Sequence, residues 1–187
     1  MYKICKTKEA SLRQREFESC LLKCMSTTPY NNISVTDLCS KVGIARKNFY
    51  RYFENKEDVL CALLDHTLLD YSKFELSNVT HTNSIYQEIL HYLSYWESQE
   101  ELLDALSKNN LSIQLLQRFF IHVWNEDTVF LHFAKAQQNI SNPNTALFII
   151  NGIFSLIITW HHSGYQEPKE QLANTISQLL TQPLIKP

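Results

Sequence analysis

The sequence predicts an all-α chain of two unequal parts, and three observations carry that reading. Only three glycines and five prolines interrupt 187 residues, too little turn chemistry for a strand-rich fold. Hydrophobic residues make up 44% and aromatic residues 12%, ample material for packed interiors. Apolar positions recur at intervals of three, four and five residues in segment after segment, the signature of amphipathic helices. The length suits one ordinary core plus a small appended domain.

The elements follow in order. Over 9–26, Leu12, Phe17, Cys20, Leu21, Cys24 and Met25 recur at spacings of three, four and five, which fits an amphipathic first helix that Thr27, Thr28 and Pro29 then stop. Ser34 is placed to cap a short second helix, with Asp37 in the capping-box position and Val35, Leu38 and Val42 facing inward. Gly43 ends it. A third helix over 45–52 starts one residue after Ile44, so only a tight turn separates the two, which is helix-turn-helix spacing. Asn55 caps a long fourth helix with Glu57 and Asp58 in its first turn and Val59, Leu60, Leu63, Leu64 and Leu68 on its apolar face. Beyond a polar break at 78–83, helices are expected at 84–97, 99–107, 112–138 (interrupted near 125–127) and 144–163, and a last one starts with Pro168 in its first turn and runs to 181.

The net charge of −2 hides a division. Residues 1–56 carry eleven Lys/Arg against five Asp/Glu, a balance of +6, whereas residues 57–187 carry six against fourteen, a balance of −8. A basic head on an acidic body points to a polyanion as the partner of the head, with a merely solvated helical surface as the competing reading.

Other classes find little support. The five cysteines, Cys5, Cys20, Cys24, Cys39 and Cys61, are odd in number and contain no CxxC pair, so they read as reduced thiols and not as a disulfide framework. Cys20 and Cys24 sit four apart but at apolar-periodic positions with no nearby histidine, which favours packing over a metal site. No Gly-rich phosphate loop, HExxH or GxSxG occurs, so neither catalysis nor a cofactor is expected. The most apolar stretch, 146–160, is fifteen residues long and contains Asn151, Gly152, Ser155 and Thr159, which makes it a buried helix and not a membrane span. The N-terminus lacks the apolar core of a secretory signal, so a cytoplasmic location is expected. Lys3, Lys6 and Lys8 there read as a solvated tail, with a DNA-tracking arm as the alternative.

Residues 34–60, SVTDLCSKVGIARKNFYRYFENKEDVL, closely resemble the DNA-binding signature of the tetracycline-repressor (TetR/AcrR) family, and the likeness extends upstream through Phe17, Cys20, Leu21, Cys24, Met25 and Tyr30. The resemblance implies a DNA-binding domain over 1–56 and an effector-sensing and dimerisation domain over 57–187. Leu38, Val42, Ile44, Phe49 and Phe53 supply a core that turns the third helix outward, where it can enter a major groove. Arg46, Lys47 and Asn48 lie at its N-terminal end; Arg or Lys suits guanine and Asn suits adenine, so these three are the base-reading candidates. Similarity to the family carries phosphate contacts onto Thr36, Tyr50, Tyr52 and Lys56, whose hydroxyl, phenol and ammonium donors suit phosphate oxygens. Lys47 stands where many relatives have a small residue, Ala45 where a serine cap is usual and Pro29 where a glycine is; of these, Lys47 bears most on operator choice.

The resemblance further implies a homodimer on a pseudo-palindromic duplex, the last two helices pairing with those of a second subunit. Phe148, Ile149, Gly152, Leu156, Leu172, Ile176 and Leu179 are the interface candidates. Tyr92, Trp96, Phe119, His122 and Trp124 are candidates to line an effector pocket, against ordinary core packing. Residues 148–160, FIINGIFSLIITW, followed by Gly164, resemble a subgroup that includes regulators of dihydroxyacetone metabolism, some of which are activators working through a protein partner. A repressor released by a small molecule is therefore the first expectation and a partner-controlled activator the second. A helical interaction module without DNA binding is the reading from another class, which the basic head disfavours.

Overall fold

The computed structural model describes residues 2, 3, 5, 7–78, 84–125 and 143–181; at 72, 73, 75–78, 122–125, 143 and 146 it describes the backbone alone. Within these the chain is helical: α1 Lys8–Thr27, a 3-10 turn Tyr30–Asn32, α2 Val35–Val42, α3 Arg46–Phe49, α4 Lys56–Asn78, α5 Ile85–Ser98, α6 Glu100–Lys108, α7 Ser112–Asn125, α8 Pro143–His162 and α9 Lys169–Thr181. The described residues contain no strand. Residues 126–138 of the expected seventh helix lie outside the described set.

Local chemistry explains the boundaries. Thr7 caps α1 through its hydroxyl, which accepts from the Ala10 amide at 3.2 Å. The capping box of α2 is complete, with the Asp37 amide donating to the Ser34 hydroxyl at 3.1 Å and the Ser34 amide donating to the Asp37 carboxylate at 2.9 Å. Asn55 caps α4 by accepting from the Asp58 amide at 2.8 Å. Three helices end on the same left-handed closure. Gly43 (φ 73) follows α2 and Gly164 (φ 67) follows α8, where a side chain would meet its own carbonyl; Asn110 (φ 56), whose short amide tolerates that region, follows α6. The third helix is shorter than the expected 45–52. After Phe49 the bonds tighten, Tyr52 N–H reaching the Phe49 carbonyl at 2.9 Å, so that Phe53 can turn into the core. Pro168 is the residue before α9 and not its first; its carbonyl accepts from Gln171 and Leu172.

The chain packs as two compact units, Met1–Leu69 with Glu101–Phe120 and Asp70–Glu100 with Ile121–Pro187. The core of the first centres on Phe17, Leu21, Met25, Leu38, Phe49, Phe53 and Leu64, joined by Leu103, Leu106 and Leu115. Arg118 of α7 forks onto the buried carboxylate of Asp65 in α4. Removing one partner of such a pair costs about 3–5 kcal/mol, because the other charge stays buried.

In the second unit α9 lies along α5, with Leu172, Ala173 and Ile176 buried, and α8 also meets α5, with Ile153, Ile157 and Trp160 buried. Lys169 pairs with Glu97 at 2.6 Å, and the Trp160 indole donates to the Glu167 carbonyl at 2.8 Å, closing the turn between α8 and α9. Tyr71, Phe74, His91, Tyr92, Tyr95 and Trp96 form a continuous aromatic group, with Phe74 stacked on His91 at 4.4 Å.

Candidate nucleic-acid interface

A four-residue helix cannot sustain itself, since nucleation fixes several dihedrals for almost no hydrogen bonds. α3 is held by its aromatic side instead. Phe49 and Phe53 are fully buried, and with Phe17 of α1 they make a triangle of rings with centroids 5.2, 5.4 and 5.8 Å apart. Such pairs add about 0.5–1.5 kcal/mol each beyond their buried area. Anchoring one side fixes what the other presents. Arg46 and Lys47 are exposed and Asn48 half-buried, a basic and amide surface at the start of the helix.

The proposed phosphate residues divide. Thr36 is exposed in the first turn of α2. Tyr50 is 41% exposed and engaged with Arg46, whose Nε donates to its hydroxyl at 3.0 Å while the guanidinium lies over its ring. Tyr52 is half-buried, its ring 6.5 Å from that of Phe17. Lys56 turns inward. Its ammonium donates to the carbonyls of Tyr30 at 2.8 Å, Asn31 at 3.2 Å and Ile33 at 2.9 Å, and sits 4.5 Å from the centre of the Tyr30 ring. An ammonium has three N–H donors, and here each has a carbonyl.

Three features of this head escaped the sequence reading. The N-terminal segment is no solvated tail at Tyr2 and Lys3: the Lys3 amide donates to the Tyr52 carbonyl at 3.0 Å and its ammonium to the Tyr50 carbonyl at 3.0 Å. Asn109, at the end of α6, accepts from the Tyr30 amide at 2.6 Å and donates to the carbonyls of Met25 and Ala105, gripping the chain between α1 and α2. Arg51 is a further exposed cation just after α3. A signal existed for part of this, since the adjacent Asn109 and Asn110 mark a helix end and Asp65 stands among apolar positions of α4.

Of the two cysteines read as packing residues, Cys20 is half-buried. Cys24 is buried with its sulfur 3.2 Å from the Lys41 ammonium, and burial pushes the neighbouring Cys20 thiol up to about 11. Among the described residues no three His, Cys, Asp or Glu side chains gather as a metal site, and no helix is long and apolar enough to cross a membrane.

The second-domain candidates fall in both units. Tyr92 and Trp96 share the aromatic group of the second unit, whereas Phe119 is half-buried in the first. The side chains of His122 and Trp124 lie outside the described set. Of the interface candidates, Phe148 is 69% exposed, Leu179 46% exposed, Gly152 exposed, and Ile149 and Leu156 half-buried. Leu172 and Ile176 are already covered within the chain, on the side of α9 that packs against α5.

Comparison with known proteins agrees with this geometry. Residues 22–63 match the family model described as bacterial regulatory proteins, tetR family, and residues 83–182 match one described as a transcriptional regulator C-terminal region. The chain belongs to the TetR family of DNA-binding transcriptional regulators. Solved structures share the fold at low identity. The fatty acid degradation regulator FadR from Bacillus halodurans is 15% identical with a TM-score of 0.66, covering 97% of this chain and 98% of its own. The dihydroxyacetone kinase operon activator DhaS is 20% identical with a TM-score of 0.58 over 91% and 94% of the two chains. FadR from Bacillus subtilis, in complex with stearoyl-CoA, is 16% identical with a TM-score of 0.58 over 89% and 96%. No curated protein matches the chain by sequence.

Proposed function

We propose that this regulator is a cytoplasmic homodimer that reads a pseudo-palindromic operator through Arg46, Lys47 and Asn48 of α3, with residues 1–56 as the DNA-binding domain and 57–187 as the sensing and dimerisation domain. The observation that carries the reading is α3 itself, pinned by Phe49 and Phe53 on one side and presenting those three residues on the other. Thr36, Tyr50 and Tyr52 meet phosphates. Lys56 serves from behind by holding the loop before α2, which leaves the phosphate beside α4 to that helix's first backbone N–H groups. The chain works by binding and release and not by chemistry on a substrate.

A small-molecule effector in the second domain, releasing a repressor, is the first reading of control. The aromatic group around Tyr92 and Trp96 supports it, as does the acyl-CoA bound by one structural neighbour. The likeness to an operon activator supports the second, activation through a protein partner. In vitro selection from random duplex tests DNA reading directly. One two-fold symmetric sequence should be enriched, and a pool that stays random would refute the proposal.

A further inference from the structure

The tightened turn that follows α3 carries the carbonyls of Tyr50 and Tyr52. Lys3 meets both, its backbone N–H donating to the Tyr52 oxygen and its ammonium to the Tyr50 oxygen, each at 3.0 Å. The Lys3 carbonyl in turn accepts from Gln14 Nε2 at 3.0 Å. Gln14 is 2% exposed, so without the N-terminal segment its amide would lose that bond in a place where an unpaired polar group is costly. One residue upstream, the Tyr2 hydroxyl donates to Asp65 Oδ2 at 2.8 Å, and its ring meets His66 edge-on at 6.0 Å. That same Asp65 carboxylate takes the Arg118 fork. Burial first, and then the charge of Asp65, pushes the Tyr2 phenol well above its ordinary range, so it remains a donor at any physiological pH.

We propose that Tyr2 and Lys3 are positioning residues for the recognition helix, a clamp that holds the C-terminal end of α3 and ties it to the Asp65–Arg118 pair between α4 and α7. Hydrogen bonds joined by the Tyr2–Lys3 peptide link thus run from α7 to the turn after α3 without passing along the backbone of α4. Arg118 lies on a helix that continues beyond Phe120, the limit of the first unit, so a change in α7 has a direct way to reach the base-reading surface. The clamp makes no contact with DNA. It acts on the helix that does.

The proposal rests on α3 as the reading helix, but its first test needs no DNA. Hydrogen exchange of the amides over 46–53 is measured in the free full-length protein. Deleting residues 1–3 should speed that exchange, Lys3→Ala should do so by about fivefold and Lys3→Arg should largely restore it, in keeping with one net hydrogen bond. Arg118→Gln should speed it in the parent and add nothing in a Tyr2→Phe background; Arg118→Lys, which keeps the charge beside Asp65, serves if the glutamine variant unfolds. Binding to the selected duplex should weaken for Lys3→Ala with no change in salt slope, whereas a lysine on phosphate would lower the slope by about one. Exchange over 46–53 unaffected by the deletion would overturn the clamp. Equal effects of the Arg118 change with and without the Tyr2 hydroxyl would overturn the link to α7. A pool that fails to select any duplex while the exchange pattern holds would strike at DNA reading and leave the clamp standing.

Discussion

Lys47 and Asn48 differ from Tyr50 in what a duplex offers them. If the first two touch base edges, Lys47→Ala or Asn48→Ala should cost about 1–3 kcal/mol on the selected site, relax preference at particular positions and barely alter binding to random DNA. If the Tyr50 hydroxyl meets phosphate as proposed, Tyr50→Phe should weaken matched and scrambled duplexes alike, which a parallel titration of both reads out. The family position of Lys56 carries a phosphate contact, and within the chain its ammonium donates to the carbonyls of Tyr30, Asn31 and Ile33, so we propose a structural role for it. Lys56→Met should therefore lower folding stability by about 1–3 kcal/mol in denaturant titrations. Its salt slope should fall by clearly less than the unit expected of a direct phosphate cation. What made α3 legible from sequence was local: Gly43, Phe49 and Phe53 fix the turn and the core side within a dozen residues. The direction of the Lys56 side chain was not legible, because it depends on carbonyls more than twenty residues earlier.

At the scale of elements, the head depends on how its short helices are capped and on what grips the segments between them. Ser34→Ala removes the acceptor for the Asp37 amide and should cost about 1 kcal/mol, measured by thermal or urea unfolding. The partner group carries a pH signature. Hydrogen bonds from the Ser34 hydroxyl and then from its backbone hold the Asp37 carboxyl below its ordinary value. With the folded value depressed, its contribution is full above the unfolded value near 4 and is lost as pH falls through the folded one. Asp37→Asn should thus flatten part of the acid limb of the stability curve, and an unchanged limb would place that titration elsewhere. Asn109→Ala takes the partner from the Tyr30 amide and should destabilise the first unit by about 1–3 kcal/mol. Asn109→Asp keeps the acceptor oxygen and should retain Tyr30 protection in hydrogen exchange while losing the bonds to Met25 and Ala105. The Ser34 and Asn55 caps could be read in advance because periodicity and capping are short-range. The Asn109 grip joins residues 79 apart in sequence, and no local pattern announces it.

For the whole molecule, two-fold symmetry is the claim from which operator length, affinity and control all follow. One short recognition helix reads too few bases to be selective alone, which is the physical argument for the proposed two copies. Phe148 of α8 and Leu179 of α9 are exposed while Leu172 and Ile176 are buried within the chain, so the proposed contact with a second copy falls to Phe148, Leu179 and the exposed Gly152. A side chain at Gly152 would meet nothing within 4 Å inside the protomer. Gly152→Leu should therefore leave the fold intact, with helix propensity improved by under about 1 kcal/mol, while turning a dimer into a monomer in light scattering. The most direct test of the account is the mass of the complex on the selected duplex, measured by sedimentation for the parent chain and for Gly152→Leu. Two chains should bind a full site at every protein ratio and one chain an isolated half-site only at much higher concentration, with loss of full-site affinity in the variant. A single chain bound tightly and selectively to one full site would contradict it.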